Sequence, residues 1–290
     1  MSFTNKKGPH RGSSMKNQKQ WEELILLLVL GIFAMIVIFP YLWMMLTSFK
    51  PVSEIFTKNM QFLPIEWHPE NYLEVLRTGS FGRYVLNSVL VTTIGVTLEV
   101  SISFLGAYAF ARLDFYGKDL VFFLIMGTMM IPPQVLTLPS YILVNDLGWL
   151  DSYMGLIIPR VGGAFGIFLL RQFMLTVPKE LDDAAQMDGA GLMRRLFSLY
   201  LPLCMPSVVT LGVFSMIGFW NDYYWPLVVT STDEMRTLAL GIGHFKSLEG
   251  MGQWQLLMAA ATLATIPMLI VYLISRKTLI KNITSGAIKG

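Results

Sequence analysis

The chain has 290 residues, 54% of them hydrophobic and 14% charged, with a mean hydropathy of +0.55; a soluble domain carries about 25% charged residues, so this composition is that of a membrane protein. A single cysteine, Cys204, excludes an internal disulfide, and three scattered histidines leave no ligand cluster for zinc. The net charge of +3 comes without a basic stripe interleaved with aromatics, so nucleic acid is not indicated.

Residues 1–23 form a polar, basic tail, expected to be disordered and cytoplasmic, and an uncharged run then begins at Leu24. That run exceeds the roughly 7–15 apolar residues of a cleaved signal and lacks a small-residue cleavage site, so it reads as a retained first span. A crossing helix needs about 20 apolar residues. Six windows qualify: 24–46, 85–110, 120–144, 153–170, 201–229 and 256–275. The third and sixth carry no charge, while Glu99 lies in the second, Arg160 in the fourth and Asp222 in the fifth. With a cytoplasmic N-terminus, 15 Lys and Arg fall inside and 6 outside, an asymmetry that places both termini in the cytoplasm. The expected fold is therefore all-α with six transmembrane helices over residues 24–276 and a cytoplasmic tail at 277–290. The long outer loop after the first span holds a candidate amphipathic helix around "PENYLEVLRTG".

Between spans four and five, on the cytoplasmic side, lies a segment of different character, 176–202. Pro178 suits a helix start, and Glu180, Asp182 and Asp183 lie where the positive end of the helix dipole favours acids. Leu181, Ala184, Ala185 and Asp188 share one face at a period of 3.6, and the two alanines leave it shallow enough for a partner to approach. Gly189 permits the left-handed conformation that ends the helix. A second helix then carries Arg194 and Arg195 to the membrane, and Pro202 marks entry into the fifth span. A loop resting on lipid headgroups is the plainer alternative, but anionic headgroups would repel three acids.

The spacing Asp183-Ala184-Ala185, Gly189, Leu199, Leu201-Pro202 resembles the EAA motif of membrane subunits of ABC importers, with Asp for Glu and Leu for Ile. The blocks "GAYAFARLDFYGK", "FWNDYYWPL" and "KNITSGAIKG" are similar to the carbohydrate-uptake permeases of the maltose-transporter type, in particular the shorter six-span partner. That resemblance implies a second permease subunit as partner, an ATPase dimer docked on the EAA helix through Glu180, Asp183, Ala184, Ala185, Asp188, Gly189, Leu201 and Pro202, and an extracytoplasmic solute-binding protein on the loops at 50–83 and 230–255. It also implies that this chain is not itself an enzyme and binds no cofactor. The chain has no Gly-x-x-x-x-Gly-Lys-Ser/Thr loop, so ATP and magnesium would belong to the partner ATPase. The implied setting is the cytoplasmic membrane of a bacterium or archaeon. Residues 281–290 are either a second docking element or a solvated tail.

Polar groups within spans are expensive and invite individual readings. Asn87 and Glu99 are expected to make structural hydrogen bonds at helix contacts. Asn221, Asp222, Tyr223 and Tyr224 are candidates for lining a carbohydrate path, because aromatic faces and planar polar groups suit sugars; an aromatic belt at the membrane interface is the competing reading. Gly162 and Gly166 are expected to let a neighbouring helix pack closely. Competing functions are an importer of a non-sugar solute, an ion-coupled transporter, which calls for coupling carboxylates and broken helices, and a membrane enzyme, for which no nucleophile–base pair or His-Glu-x-x-His motif stands in the chain.

Overall fold

The computed structural model describes residues 11–57, 61–78, 80–243, 245 and 253–287, with only the helical backbone at 11–19 and 279–287. Among the described residues the regular structure is entirely helical. The order is α1 (Arg11–Thr47), α2 (Val52–Ile55), α3 (Glu70–Arg77), α4 (Phe81–Arg112), α5 (Lys118–Thr128), α6 (Thr137–Asp146), α7 (Tyr153–Ile157), α8 (Ala164–Leu175), α9 (Lys179–Met187), α10 (Leu192–Arg194), α11 (Leu201–Trp220), α12 (Tyr224–Val229), α13 (Leu238–Ile242) and α14 (Trp254–Ala287). Helix α1 starts at Arg11, inside the segment expected as a disordered tail, and α14 runs past 275 to Ala287. The docking reading of 281–290 falls on residues whose side chains are not described, and 288–290 lie outside the described residues altogether.

Among the described residues four helices are long and apolar enough to cross a bilayer: Gln20–Thr47, Phe81–Arg112, Leu192–Trp220 and Trp254–Thr278. The apolar side chains of α1 are exposed from Trp21 to Leu42, as suits a helix whose solvent is hydrocarbon. Two further pairs qualify only together, Lys118–Thr128 with Pro133–Asp146, bent by 94°, and Tyr153–Arg160 with Ala164–Leu175, bent by 46°. The count is thus four, or six if each bent pair is one span.

Three windows read as continuous are interrupted, among them the fourth, at 161–163 between Arg160 and Ala164. The third, though uncharged, breaks at 129–132 because Pro132 and Pro133 supply no N–H and the residue before each proline is driven out of the helical region. The fifth stops at Trp220, and Asp222 starts a separate helix by accepting the N–H groups of Tyr224 and Trp225 at 3.2 and 3.3 Å. Gly162 sits at the bend before α8 with φ +91°, so it serves a turn rather than a helix face. Gly166 does pack as expected: a Cβ there would overlap the Ser103 hydroxyl of α4.

Three buried clusters order the bundle. One joins the second half of α4 and α8 to residues 196–211, around Phe104, Tyr108, Leu170, Met174, Leu196, Tyr200 and Leu211. Another joins α3, the start of α4, α13 and α14, around Val75, Phe81, Tyr84, Trp220 and Leu256. The third packs Val91, Val144, Leu156, Phe219 and Trp225 between them. The amphipathic helix expected near "PENYLEVLRTG" is α3, and Asn71 on it donates to the carbonyls of Ser48 and Lys50 at 2.9 and 3.1 Å. Asn87, fully buried in α4, donates to the carbonyls of Glu234 and Arg236 at 2.7 and 2.8 Å and accepts from the Tyr153 hydroxyl at 2.7 Å, which is the structural role expected for it.

Asp151 clasps the turn before α7 to the segment after α12. Its Oδ1 accepts the N–H groups of Ser231 and Thr232 at 2.9 and 3.1 Å, and its Oδ2 the Thr232 hydroxyl at 2.7 Å. Burial pushes this carboxyl up, but the hydrogen bonds from Thr232 and Ser231 outweigh it and hold the carboxyl below its ordinary value. A depressed carboxyl stabilises the fold above its unfolded value of about 3.9, and that contribution is lost as pH falls through the folded value. Protection of the Ser231 and Thr232 amides, taken relative to their intrinsic exchange rate at each pH, should therefore be high at neutral pH and fall below about pH 4. Asp151→Ala should lower that protection about tenfold or more at pH 7, since hydrogen bonds to a charged acceptor contribute about 1.5–3 kcal/mol.

Candidate functional site

Helix α9 opens after Pro178, whose ψ of 136° turns the chain into the first helical residue. It closes on Gly189 at φ +75°, a conformation that a side chain would strain. Around that glycine the Ala190 N–H reaches the Ala185 carbonyl at 2.9 Å and the Gly189 N–H reaches that of Gln186 at 3.0 Å, the paired bonds of a Schellman stop. The sequence reading of this turn holds in full.

No residue of α9 is buried. Glu180, Leu181, Asp183, Ala184, Met187, Asp188 and Gly189 are exposed, and the inward side is carried by half-buried Asp182 and Ala185. Among the predicted docking residues, then, Ala185 turns toward the body of the protein. Leu201 is half-buried against the Tyr200 cluster, and Pro202 is exposed on the helix leading away. The structure does not gather all eight onto one surface.

Asp182, which the sequence reading counted only among the acids of the first turn, is what ties α9 down. It receives Arg195 Nη1 at 3.2 Å, and both side chains are largely covered, at 13% and 16% exposure. Arg195 also reaches Gln186 Oε1 at 3.4 Å. Beneath the pair, Tyr108 and Tyr200 meet edge to face with centroids 5.0 Å apart, and Arg112 lies 5.2 Å above the Tyr200 ring. Arg112 donates to the carbonyls of Met174 and Val177, each at 2.5 Å, while Arg171 of α8 donates back to the Phe110 carbonyl of α4 at 3.1 Å. Each cation thus meets carbonyls at the C-terminal end of the other helix, where a positive charge is favoured. The signal available in the sequence was the charge complement of Asp182 and Arg195 on either side of the Gly189 turn.

Arg195 opens a wide π-type turn, Arg195–Tyr200, that feeds directly into α11. The cause is local: Pro202 lacks the N–H that would bond to Ser198 in a regular α-helix.

The second predicted group divides. Asp222 and Tyr224 line a cavity of about 420 Å³ together with Gln134, Thr137, Ser140 and Arg160. Asn221 instead donates back to the Ile217 carbonyl at 3.1 Å, and neither it nor Tyr223 lines that cavity. Arg160 donates to Asp222 Oδ2 at 2.5 Å, a pairing across 62 residues that sequence periodicity does not reveal. Glu99 lines a neighbouring cavity of about 180 Å³ that Arg160 also borders.

The sequence profile of binding-protein-dependent transport system inner membrane components matches residues 100–285. The chain belongs to this family. It is similar to a putative ABC transporter permease protein of Caldicellulosiruptor sp. (strain Rt8B.4), 36% identical over 96% of this chain and 100% of that one. It is likewise similar to the trehalose/maltose transport system permease protein MalG of Thermococcus litoralis, 31% identical over 91% of this chain and 97% of that one. The solved structure of a bacterial ABC transporter involved in the import of the acidic polysaccharide alginate covers 93% of this chain and 99% of its own, with a TM-score of 0.81 at 24% identity, which shows a shared fold. Family membership sets aside the ion-coupled alternative, although the two bent helix pairs are a feature it called for.

If the Asp182–Arg195 pair holds α9 in place, Asp182→Ala and Arg195→Ala should each destabilise the purified protein by about 2 kcal/mol, between the values typical of exposed and of buried pairs. The double variant should cost no more than either single one, and exchanging the two charges should restore part of the loss. Additive single effects in denaturant unfolding would show that the pair contributes nothing.

Proposed function

We propose that this chain is one of two membrane subunits of an ATP-driven importer whose cargo is a carbohydrate, an oligosaccharide in particular, handed over by an extracytoplasmic binding protein. Counting each bent pair as a single span gives six, an even number that returns both termini to one side. The basic residues, concentrated in the segments on that side, put it in the cytoplasm. The protein is then a multi-pass component of a bacterial or archaeal cytoplasmic membrane, paired with a second permease around a common path.

The observation that carries the reading is α9: an acidic helix that buries nothing, held from within by one ion pair, with Glu180, Leu181, Asp183, Ala184 and Asp188 on its outer side. A helix so placed is half of an interface. Its other half is an ATPase on a separate chain, which binds ATP and magnesium and whose closure moves α9. Through Gly189, the Arg195 turn and Pro202 that movement reaches α11. Ala185 and Leu201 contribute by keeping the docking helix seated on the core. The carbohydrate assignment rests on the trehalose/maltose permease relative and on the polar, aromatic-bordered cavity beside Asp222. The binding protein would meet the far end of the bundle, at 50–83 and 230–255; within these, 58–60, 79, 244 and 246–252 lie outside the described residues.

The test alters the outer side of α9 in one variant and the turn that carries its movement toward α11 in another. Ala184→Trp adds bulk at an exposed position, and Gly189→Pro forbids the positive φ of the stop. Either variant should insert and pair with the second permease yet lose ATPase co-purification and bring sugar uptake in proteoliposomes close to background. Normal uptake by both would overturn the docking role.

A further inference from the structure

Ionisable side chains within spans are costly and tend to mark the route of a solute. Here three come together from distant parts of the chain. Arg160, at the bend before α8, donates from Nη1 to Asp222 at 2.5 Å and from Nη2 to the Gly218 carbonyl at 3.3 Å, and its guanidinium lies 4.6 Å above the Phe219 ring. Asp222 is fixed in its turn, because its second oxygen holds the first N–H groups of α12. Glu99 stands on the other side of Arg160, across the smaller cavity.

The larger cavity, about 420 Å³, falls within the roughly 300–1,000 Å³ of small-molecule sites. Its wall mixes two kinds of surface. Gln134, Thr137, Ser140, Tyr224 and the Arg160–Asp222 pair provide donors and acceptors, and Pro133, Leu136, Pro159 and Trp225 provide apolar faces. A lipid tail would leave the polar groups unpaired, at about 1–3 kcal/mol each. An anion is disfavoured too, since the charge of Arg160 is already met at contact distance by Asp222 and Glu99 adds a second negative charge nearby. What fits is a ligand without net charge whose hydroxyls both donate and accept. Arg160 suits that ligand, for a guanidinium has five N–H donors and protein acceptors take two of them.

We propose that this cavity is a cargo site for uncharged sugar rings on this subunit's own wall of the path, with the Arg160–Asp222 pair reading hydroxyls. The inference rests on the carbohydrate-import reading above and adds to it a place and a charge preference. The break between α5 and α6 belongs to the same design: by turning the chain at 129–132, it brings Gln134, Thr137 and Ser140 to the cavity wall.

The experiment uses the whole transporter, with this chain carrying Cys204→Ser and Ser140→Cys, and follows labelling of that cysteine on this chain's band by a small methanethiosulfonate reagent. The probes are maltotriose, cellotriose, xylotriose and arabinotriose as neutral sugars, and trigalacturonate as an anionic one. A neutral trisaccharide that the complex imports should slow labelling about tenfold, the effect of about 1.4 kcal/mol, and trigalacturonate should not. Asp222→Asn, which leaves Arg160 positive and unpaired, should reverse that order; a residue with a merely structural role would not change the charge preference. Should Asp222→Asn fail to assemble, Arg160→Gln keeps the α12 contacts of Asp222 and should weaken protection by the neutral sugar about tenfold without admitting trigalacturonate. A cysteine labelled equally fast with and without an imported sugar overturns the site, as does one that is unreactive in both conditions because the partner permease fills the cavity. In either case the import reading stands as long as a sugar is taken up. If no sugar drives uptake and a different solute does, the import reading falls and the cargo site falls with it.

Discussion

The contact between Asp182 and Arg195 decides where α9 can stand. A helix with no fully buried residue, and with Ala185 half-buried on its inward side, has little hydrophobic reason to stay where it is, since most helical stability comes from packing one face. Here the missing packing is replaced by one largely covered ion pair, seated on Tyr108 and Tyr200. Because the tether acts from below, the outer side of α9, with Glu180, Leu181, Asp183, Ala184 and Asp188, is left exposed. Because Arg195 opens the turn that enters α11, the tether also ties α9 directly to the base of that helix.

The same economy governs the interior. Hydrocarbon cannot satisfy a polar group, and several places where a helix ends or bends are served by a particular side chain. Arg112 and Arg171 serve the ends of α8 and α4 reciprocally, Asn87 holds three partners at once, and Trp225 donates its indole N–H to the Gly155 carbonyl at 2.9 Å. Asp222 works in two directions, toward Arg160 and toward α12. Side chains that hydropathy alone would count as intrusions are the reason the irregular backbone survives.

What could be read from the sequence was whatever is encoded locally. The start of α9 at Pro178, its stop at Gly189, the amphipathic α3 and the buried role of Asn87 all follow from neighbouring residues and their spacing. The break within the third window was missed because an apolar count does not see backbone donors; the prolines at 132 and 133 held the information and hydropathy ignored it. Two features had no local signature. Which of Asp182 and Asp183 turns inward depends on where Arg195 arrives after the turn, and the partnership of Arg160 with Asp222 requires α8 and α11 to be packed first. The aromatic cluster at 220–225 looked like one surface in sequence, but the end of α11 divides it, sending Asp222 and Tyr224 to a cavity and Asn221 back onto its own helix.

The wide turn at Arg195–Tyr200 has a mechanical consequence. Such a turn holds one residue more than an α-helical turn, and each residue of an α-helix corresponds to about 100° of rotation. Were that residue to pass into or out of the helix, everything on its N-terminal side would swing by about that angle around the axis of α11. No regular helical bond within α11 would have to break. A push on α9 can therefore be delivered to the bundle as rotation rather than as translation, and Pro202, by withholding one hydrogen bond, keeps the swivel from freezing into an ordinary helix.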